Sequence, residues 1–201
     1  MTEPVEEERD PLAEDDALVA RLRAGDREAL GQLFLRHANP VRRLLVSVMG
    51  PSDEVEDLVQ EVFLAVHRSI AGFRGNARFS TWLHRVTVNT ALNALRRPRR
   101  TVAVEPVDLD RHSDRASGAD TAVLVRERVR RLYAILDAMT PKRRVAFTLF
   151  ELEGRSIAEV AEMTGVALPV AKSRIFFARR ELKKRAREDA YLAPLLDELG
   201  R

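Results

Sequence analysis

The run SIAEVAEMTGVALPVAKSRIFFARREL, residues 156–182, decides how this chain is read. Ser156 followed three residues later by Glu159 is a capping box, in which each residue satisfies a backbone N–H that the start of a helix leaves unpaired. Ile157, Val160 and Ala161 then recur on one side of a short helix. Gly165 supplies the left-handed residue a tight turn needs. Pro169 fits the first turn of a restarting helix, where its missing N–H costs nothing. In that second helix Ala171, Ile175, Ala178 and Leu182 share an inward face, which leaves Lys172, Ser173, Phe176, Arg179 and Lys183 outward. Eight Lys or Arg fall between 172 and 187, against Glu181 alone. The helix dipole by itself favours cations near a helix end, but it does not require a capped short helix and a glycine turn upstream. Short helix, turn and basic helix together read as a helix-turn-helix that binds double-stranded DNA. Its second helix would lie in the major groove, with early residues at base edges and later cations on phosphates.

The apolar residues on either side also recur at three- and four-residue spacing, with little period-two alternation, so the expected fold class is all-α. A first helix is expected over 17–24, stopped by Gly25 with Asp26 as the next N-cap, and a second carries Leu30, Leu33 and Phe34. Pro40 is expected to start a third, which ends at Gly50-Pro51. Asp53 and Glu56 form a candidate capping box for a helix whose Val55, Leu58, Val59, Val62 and Val66 make one apolar face. A short loop, 72–78, leads to a helix over 80–97 that Pro98 ends. Residues 101–120 lose helical periodicity and mix Pro, Ser and Gly with acids, as a linker does. Beyond it Asp120 can cap a helix reaching Met139, and Thr140-Pro141 opens another that ends at Gly154. The expected organisation is an acidic disordered leader (1–16), a helical domain (17–100), a flexible acidic linker (101–120), a helix-turn-helix domain (121–187) and a C-terminal extension (188–201).

Composition narrows the function classes. The formal charge is +3, yet residues 1–17 hold eight acids against Arg9, so that segment is −7 and the remainder +10. A basic body with an acidic leader suits a polyanion partner. Cysteine is absent and the four histidines (37, 67, 84, 112) have no ligand spacing, so no metal site and no cofactor is expected. No carboxylate pair, nucleophile arrangement or phosphate loop suggests an enzyme. No apolar run approaches the roughly 20 residues of a membrane helix, so no membrane insertion is expected and the chain is read as soluble and cytoplasmic.

Two constellations lie in the first domain. Arg85, Asn89, Asn93 and Arg96, spaced four, four and three, make one polar stripe on a helix. Just before it, Phe73-Arg74-Gly75-Asn76-Ala77-Arg78-Phe79 and then Ser80 and Trp82 combine rings, cations and an amide. Such a loop could hold an unpaired base by stacking and hydrogen bonds; equally, the rings of Phe73, Phe79 and Trp82 could be core. The other constellation is acidic: Asp53, Glu54, Glu56, Asp57 and Glu61 on one helix, with Gln60, Phe63 and Leu64 near the edge of its apolar face. That surface would repel DNA and suits a protein partner with basic groups, or else is simply solvated.

Taken together, Asp57-Leu58-Val59-Gln60-Glu61-Val62-Phe63, Phe73-Arg74-Gly75, Phe79-Ser80-Thr81-Trp82-Leu83 and Val88-Asn89 resemble region 2 of bacterial sigma factors of the extracytoplasmic-function (ECF) group. Glu153-Gly154-Arg155-Ser156, Glu159-Val160-Ala161-Glu162, Gly165, Lys172-Ser173-Arg174 and Ala178-Arg179 resemble region 4. The resemblance implies a protein that binds core RNA polymerase, directs it to promoters and opens the minus-ten DNA. Asp57, Gln60, Glu61, Phe63 and Leu64 would meet the clamp helices of the largest subunit, and the second domain would meet the flap. Phe73, Arg74, Asn76, Ala77, Arg78, Phe79, Ser80 and Trp82, with Arg85, Asn89, Asn93 and Arg96, would bind the minus-ten element. Arg155, Ser156, Pro169, Val170, Lys172, Ser173, Arg174, Phe176 and Arg179 would bind the minus-thirty-five element. A cognate anti-sigma factor is a further expected partner. A sigma-like decoy that binds an anti-sigma factor without touching DNA is the alternative, and retention of the basic stripe speaks against it. The family usually has Gly-Thr-Val where this chain has Pro169-Val170-Ala171, so its promoter specificity is expected to be unusual.

Overall fold

A computed structural model describes residues 11–75, 77–97 and 119–194. Among them there are helices and turns and no strand. The helices are α1 (Pro11–Arg23), α2 (Arg27–Met49), α3 (Glu54–Ser69), α4 (Phe79–Ala94), α5 (Ala119–Asp137), α6 (Pro141–Phe147), α7 (Ile157–Thr164) and α8 (Leu168–Arg187). A short 3-10 turn, Ile70–Gly72, follows α3, and a π-helical turn, Thr148–Leu152, extends α6.

Four boundaries differ from the sequence expectation. The first helix begins at Pro11, not near residue 17, because Asp15 is buried between α1 and α2. Its carboxylate accepts from Arg36 Nε at 3.0 Å and lies 3.0 Å from His37 Nε2. The last residues assigned to an acidic leader are thus part of the fold, while residues 1–10 lie outside the described set. Pro40 does not start a helix; it sits inside a continuous α2. An interior proline costs about 3 kcal/mol, but Leu33 before it and Val41, Leu44, Leu45 and Val48 after it are all buried on one face. At roughly 1.5–3 kcal/mol for each large apolar side chain, keeping that face in line outweighs the lost bond. The Asp53–Glu56 capping box does not form, since Asp53 makes no capping bond and Glu56 is held by Arg42 through contacts of 2.6 and 2.9 Å. Finally, α5 begins at Ala119, inside the stretch read as linker; the rest of that stretch, 101–118, lies outside the described residues.

The first four helices pack around α2. The second half then joins the same core: Val145, Ala146, Leu149, Val160, Ala161, Met163, Ala171 and Ile175 cluster with the buried residues of α1–α4. A smaller cluster of Ile135, Leu136, Met139, Phe147, Ala178, Ala186 and Leu192 seats α5 and α6 on α8. The expectation of two separate domains therefore meets a structure in which α7 lies directly against α4.

Candidate nucleic-acid interface

Around α7 and α8 the local signals are realised as the sequence implied, whereas Thr140 makes no side-chain capping bond to α6 and Asp120 lies inside α5, not at its N-cap. The Ser156 hydroxyl accepts from the Glu159 N–H at 3.2 Å, and the Glu159 carboxylate accepts from the Ser156 N–H at 2.9 Å and the Ser156 hydroxyl at 2.7 Å. The hydrogen bond from the Ser156 side chain is the main cause of a lowered Glu159 pKa. Gly165 closes α7 at φ +64, in the left-handed region that a Cβ disfavours. In α8, Ala171, Ile175 and Ala178 are buried, while Pro169, Val170, Lys172, Ser173, Phe176 and Phe177 are exposed. The Phe176 ring is 60% exposed, so an apolar group stands among the cations of the outward face.

Three of the expected second-half contacts are engaged within the protein. Arg179 pairs with Glu151 and stacks 4.8 Å above the Phe150 ring. Arg155 is half-buried, lies 3.7 Å from Glu159, and has a buried Nε without a hydrogen-bond partner. Ser156 is exposed but committed to its cap. Arg174 is half-buried. A groove along the later turns of α8 is lined by Arg143, Arg180, Lys183, Lys184 and Arg187 beside Phe177, with Glu181 and Glu188 among them.

In the first half, Arg85, Asn89 and Asn93 are exposed along α4 and Arg96 just beyond its end, and Arg96 Nη1 donates to Asn93 Oδ1 at 3.3 Å. The loop before α4 resolves differently from the expectation. Phe73 and Phe79 are buried and cannot offer a ring face to a base. With half-buried Trp82 they form an aromatic cluster, its centroids 5.2–6.2 Å apart, which also meets His37 at 5.3 Å. Burying rings of this size dominates local energetics, so the rings hold the loop up from below. Arg74, Ala77 and Arg78 remain exposed and Ser80 half-exposed; Asn76 lies outside the described residues.

On α3, Asp57, Gln60 and Leu64 are exposed and Glu61 half-exposed. Glu61 accepts both guanidinium nitrogens of Arg97 at 3.0 and 3.2 Å, which ties this helix to the chain leaving α4. Phe63 is corrected: it is buried against Phe34, with centroids 4.8 Å apart, because α3's apolar face is wider than its valine stripe suggested. Thus α3 turns an acidic edge outward while α4 and α8 turn polar and basic ones.

The family model for sigma-70 region 2 matches residues 33–101, and that for sigma-70 region 4 matches residues 129–182. The ECF RNA polymerase sigma factor SigM of Mycobacterium tuberculosis (strain ATCC 25618 / H37Rv) is 35% identical over 170 residues, which is 85% of this chain and 83% of that protein. This chain belongs to the ECF sigma factors. The ECF RNA polymerase sigma-E factor of Escherichia coli (strain K12) is 34% identical over 176 residues, 84% of the sigma factor described here and 92% of its relative. Among solved structures, CnrH in complex with the cytosolic domain of CnrY superposes with a TM-score of 0.60 at 25% identity, covering 88% of this chain and 99% of CnrH. The sigma factor RpoE of Bartonella quintana, in complex with the anti-sigma factor NepR, shares the fold with a TM-score of 0.55, at 21% identity over 77% of this chain and 94% of that one. Among the described residues of this sigma factor, no cluster of three or more His, Asp or Glu could hold a metal ion.

Residues that join the halves were not identified from sequence. Arg144 is 1% exposed although it stands in a Lys142-Arg143-Arg144 run that reads as surface. Besides Asp137, its partners are backbone carbonyls of α2, which no side-chain pattern announces.

Proposed function

We propose that this sigma factor recruits core RNA polymerase through α3, opens minus-ten DNA with the α4 stripe and the loop before it, and reads the minus-thirty-five element with α8. The observation that carries this reading is the separation of faces. Asp57, Gln60 and Leu64 point outward on an acidic helix, while Arg85, Asn89 and Asn93 are exposed along another, with Arg96 just past its end. Glu61, paired with Arg97, lies between the two.

Promoter opening here is binding chemistry, and polymerase supplies the catalysis. Extruding a base costs a few kcal/mol, to be offset by hydrogen bonds from Arg74, Asn76, Arg78 and Ser80 and by the cations and amides of α4. Since Phe73 and Phe79 are buried, Trp82 is the ring left to stack on a base. On α8, Lys172 and Ser173 stand where a recognition helix meets base edges, and Phe176 can contact a thymine methyl. Pro169 and Val170 are exposed at its start, so the departure from Gly-Thr-Val falls on the reading face. A decoy would have no use for these exposed polar stripes. A cognate anti-sigma factor is the expected regulator, in keeping with the solved complexes of CnrH and RpoE. No helix among the described residues is long and apolar enough to cross a membrane, and the chain would act with polymerase in the cytoplasm.

Reconstitution with core RNA polymerase on a promoter library tests the reading. Specific transcripts and open complexes that depend on this chain are expected. Absence of both polymerase binding and initiation would overturn it.

A further inference from the structure

The last turn of α2 ends in carbonyls that the helix itself leaves without full partners, and the second half supplies them. Arg144 Nε donates to Val48 O at 2.6 Å and Nη2 to Met49 O at 2.7 Å, while Nη1 pairs with Asp137. The Tyr133 hydroxyl lies 3.2 Å from Ser47 O and 3.3 Å from Val46 O, within hydrogen-bonding distance of both. The Ser47 hydroxyl donates to Glu153. The Tyr133 ring lies flush on Gly50, where a Cβ would come within 2.9 Å of it. Burial raises the Tyr133 pKa and keeps its hydroxyl proton in place to donate. A buried cation at a helix C-terminus also meets the negative end of the dipole. Val46 O already accepts from the Gly50 N–H at 2.8 Å, so the carbonyls of Ser47, Val48 and Met49 are the three that α5 and α6 satisfy across the boundary between the halves.

This packing conflicts with promoter geometry. Elements centred near minus-ten and minus-thirty-five are about 25 base pairs apart, or about 85 Å at ~3.4 Å per pair. Here α7 lies against α4, and α8 follows α7 after a turn at Gly165. Helices of 16 and 8 residues are about 24 and 12 Å long, so the start of α8 is held well within half the required span.

We propose that the packed arrangement is a closed state, latched by Arg144 and Tyr133 on the C-terminal carbonyls of α2, and that promoter engagement requires this latch to open. The need for opening rests on the promoter reading above; the latch itself does not. In the closed state the buried guanidinium has carbonyl and carboxylate partners. On opening, water replaces them on both sides, so the two states exchange equivalent hydrogen bonds and a partner that prefers the open form can shift the balance. Because only the open fraction binds, the apparent affinity for promoter complexes is reduced by that fraction.

The chain has no cysteine, so Arg68→Cys on α3 and Glu162→Cys on α7 place two spin labels without background. Double electron–electron resonance on the free chain should give one narrow distance. Arg144→Met should move at least half of the molecules to longer, broader distances, and Tyr133→Phe should do the same to a smaller extent, with helical circular dichroism preserved in both. Arg144→Met should also lower the chain concentration needed for half-maximal open complex about threefold or more. Core polymerase with promoter DNA should give the long distance in every variant. A broad long distance already present in the free unlatched and latched chains alike, or a short distance that persists in the open complex, overturns the proposal. If no variant binds polymerase, the promoter reading fails and the need for opening with it, while the free-chain distances still decide whether the latch exists.

Discussion

The two regions proposed to face DNA are built in opposite ways. Around α7 and α8 the local code is complete: a reciprocal cap, a left-handed glycine and an inward stripe of small and branched residues all agree on the same element. Around α4 the reading face is a by-product of packing. Phe73 and Phe79 are buried under the loop with half-buried Trp82 beside them, and Arg74, Arg78 and the Arg85–Asn89–Asn93 stripe face outward. A reader specified locally can be read from the chain, whereas one specified by the core is recognised only once burial is known.

The largest expected effect tests the aromatic cluster. Phe79→Ala removes a ring that is 2% exposed and should cost about 3–5 kcal/mol of stability. Phe176→Ala, on the other side of the comparison, should change stability by less than about 0.5 kcal/mol while weakening minus-thirty-five binding. Thermal melts beside DNA binding check both, and equal destabilisation would erase the contrast. Next in size is the local code itself. Ser156→Ala should cost about 1 kcal/mol through the lost cap, and Gly165→Ala about 1–2 kcal/mol for a Cβ in the left-handed region. Chemical denaturation measures these.

Several features escaped the sequence because a competing contact decided them. Pro40 carries a helix-start signal, but the face from Leu33 to Val48 runs straight through it. Glu56 has capping-box spacing, yet Arg42 of the neighbouring helix holds its carboxylate and lowers its pKa through that hydrogen bond. Phe63 has the spacing of an apolar-face edge, and Phe34 draws it inside. Asp15 belongs to an acidic run by composition and to the core by its contacts with Arg36 and His37. All-helical class, the helix-turn-helix and its outward face needed only periodicity and caps, so they were legible.

A smaller effect concerns charge on α8. With about five phosphates neutralised, log affinity for promoter DNA should fall with log salt at a slope near −4 to −5, and Lys172→Ala or Arg180→Ala should each reduce its magnitude by about 0.9. An unchanged slope in titrations across salt would place these cations off the DNA.

The smallest effect lies where the two readers touch. His84, on α4, is pulled below its ordinary pKa of 6.5, first by burial and then by Arg155 and His37, with Glu153 and Glu159 opposing. Its folded pKa is depressed, so the unfolded chain binds the proton more readily. The stability His84 contributes is therefore whole above pH 6.5 and declines as pH falls below it. Melts from pH 7.5 to 5.5 should show this loss, and His84→Gln should flatten it; an identical pH profile in the variant would remove His84 as the cause.

The separation of polymerase docking from promoter opening is tested most directly by measuring both for two variants side by side. Asp57→Lys with Leu64→Ala, on α3, should lose polymerase affinity and hence transcription. Arg78→Ala with Asn89→Ala should keep polymerase affinity nearly intact while open-complex formation, followed by permanganate reactivity of minus-ten thymines, falls at least tenfold. Equal loss of polymerase binding and opening in both variants would contradict the account.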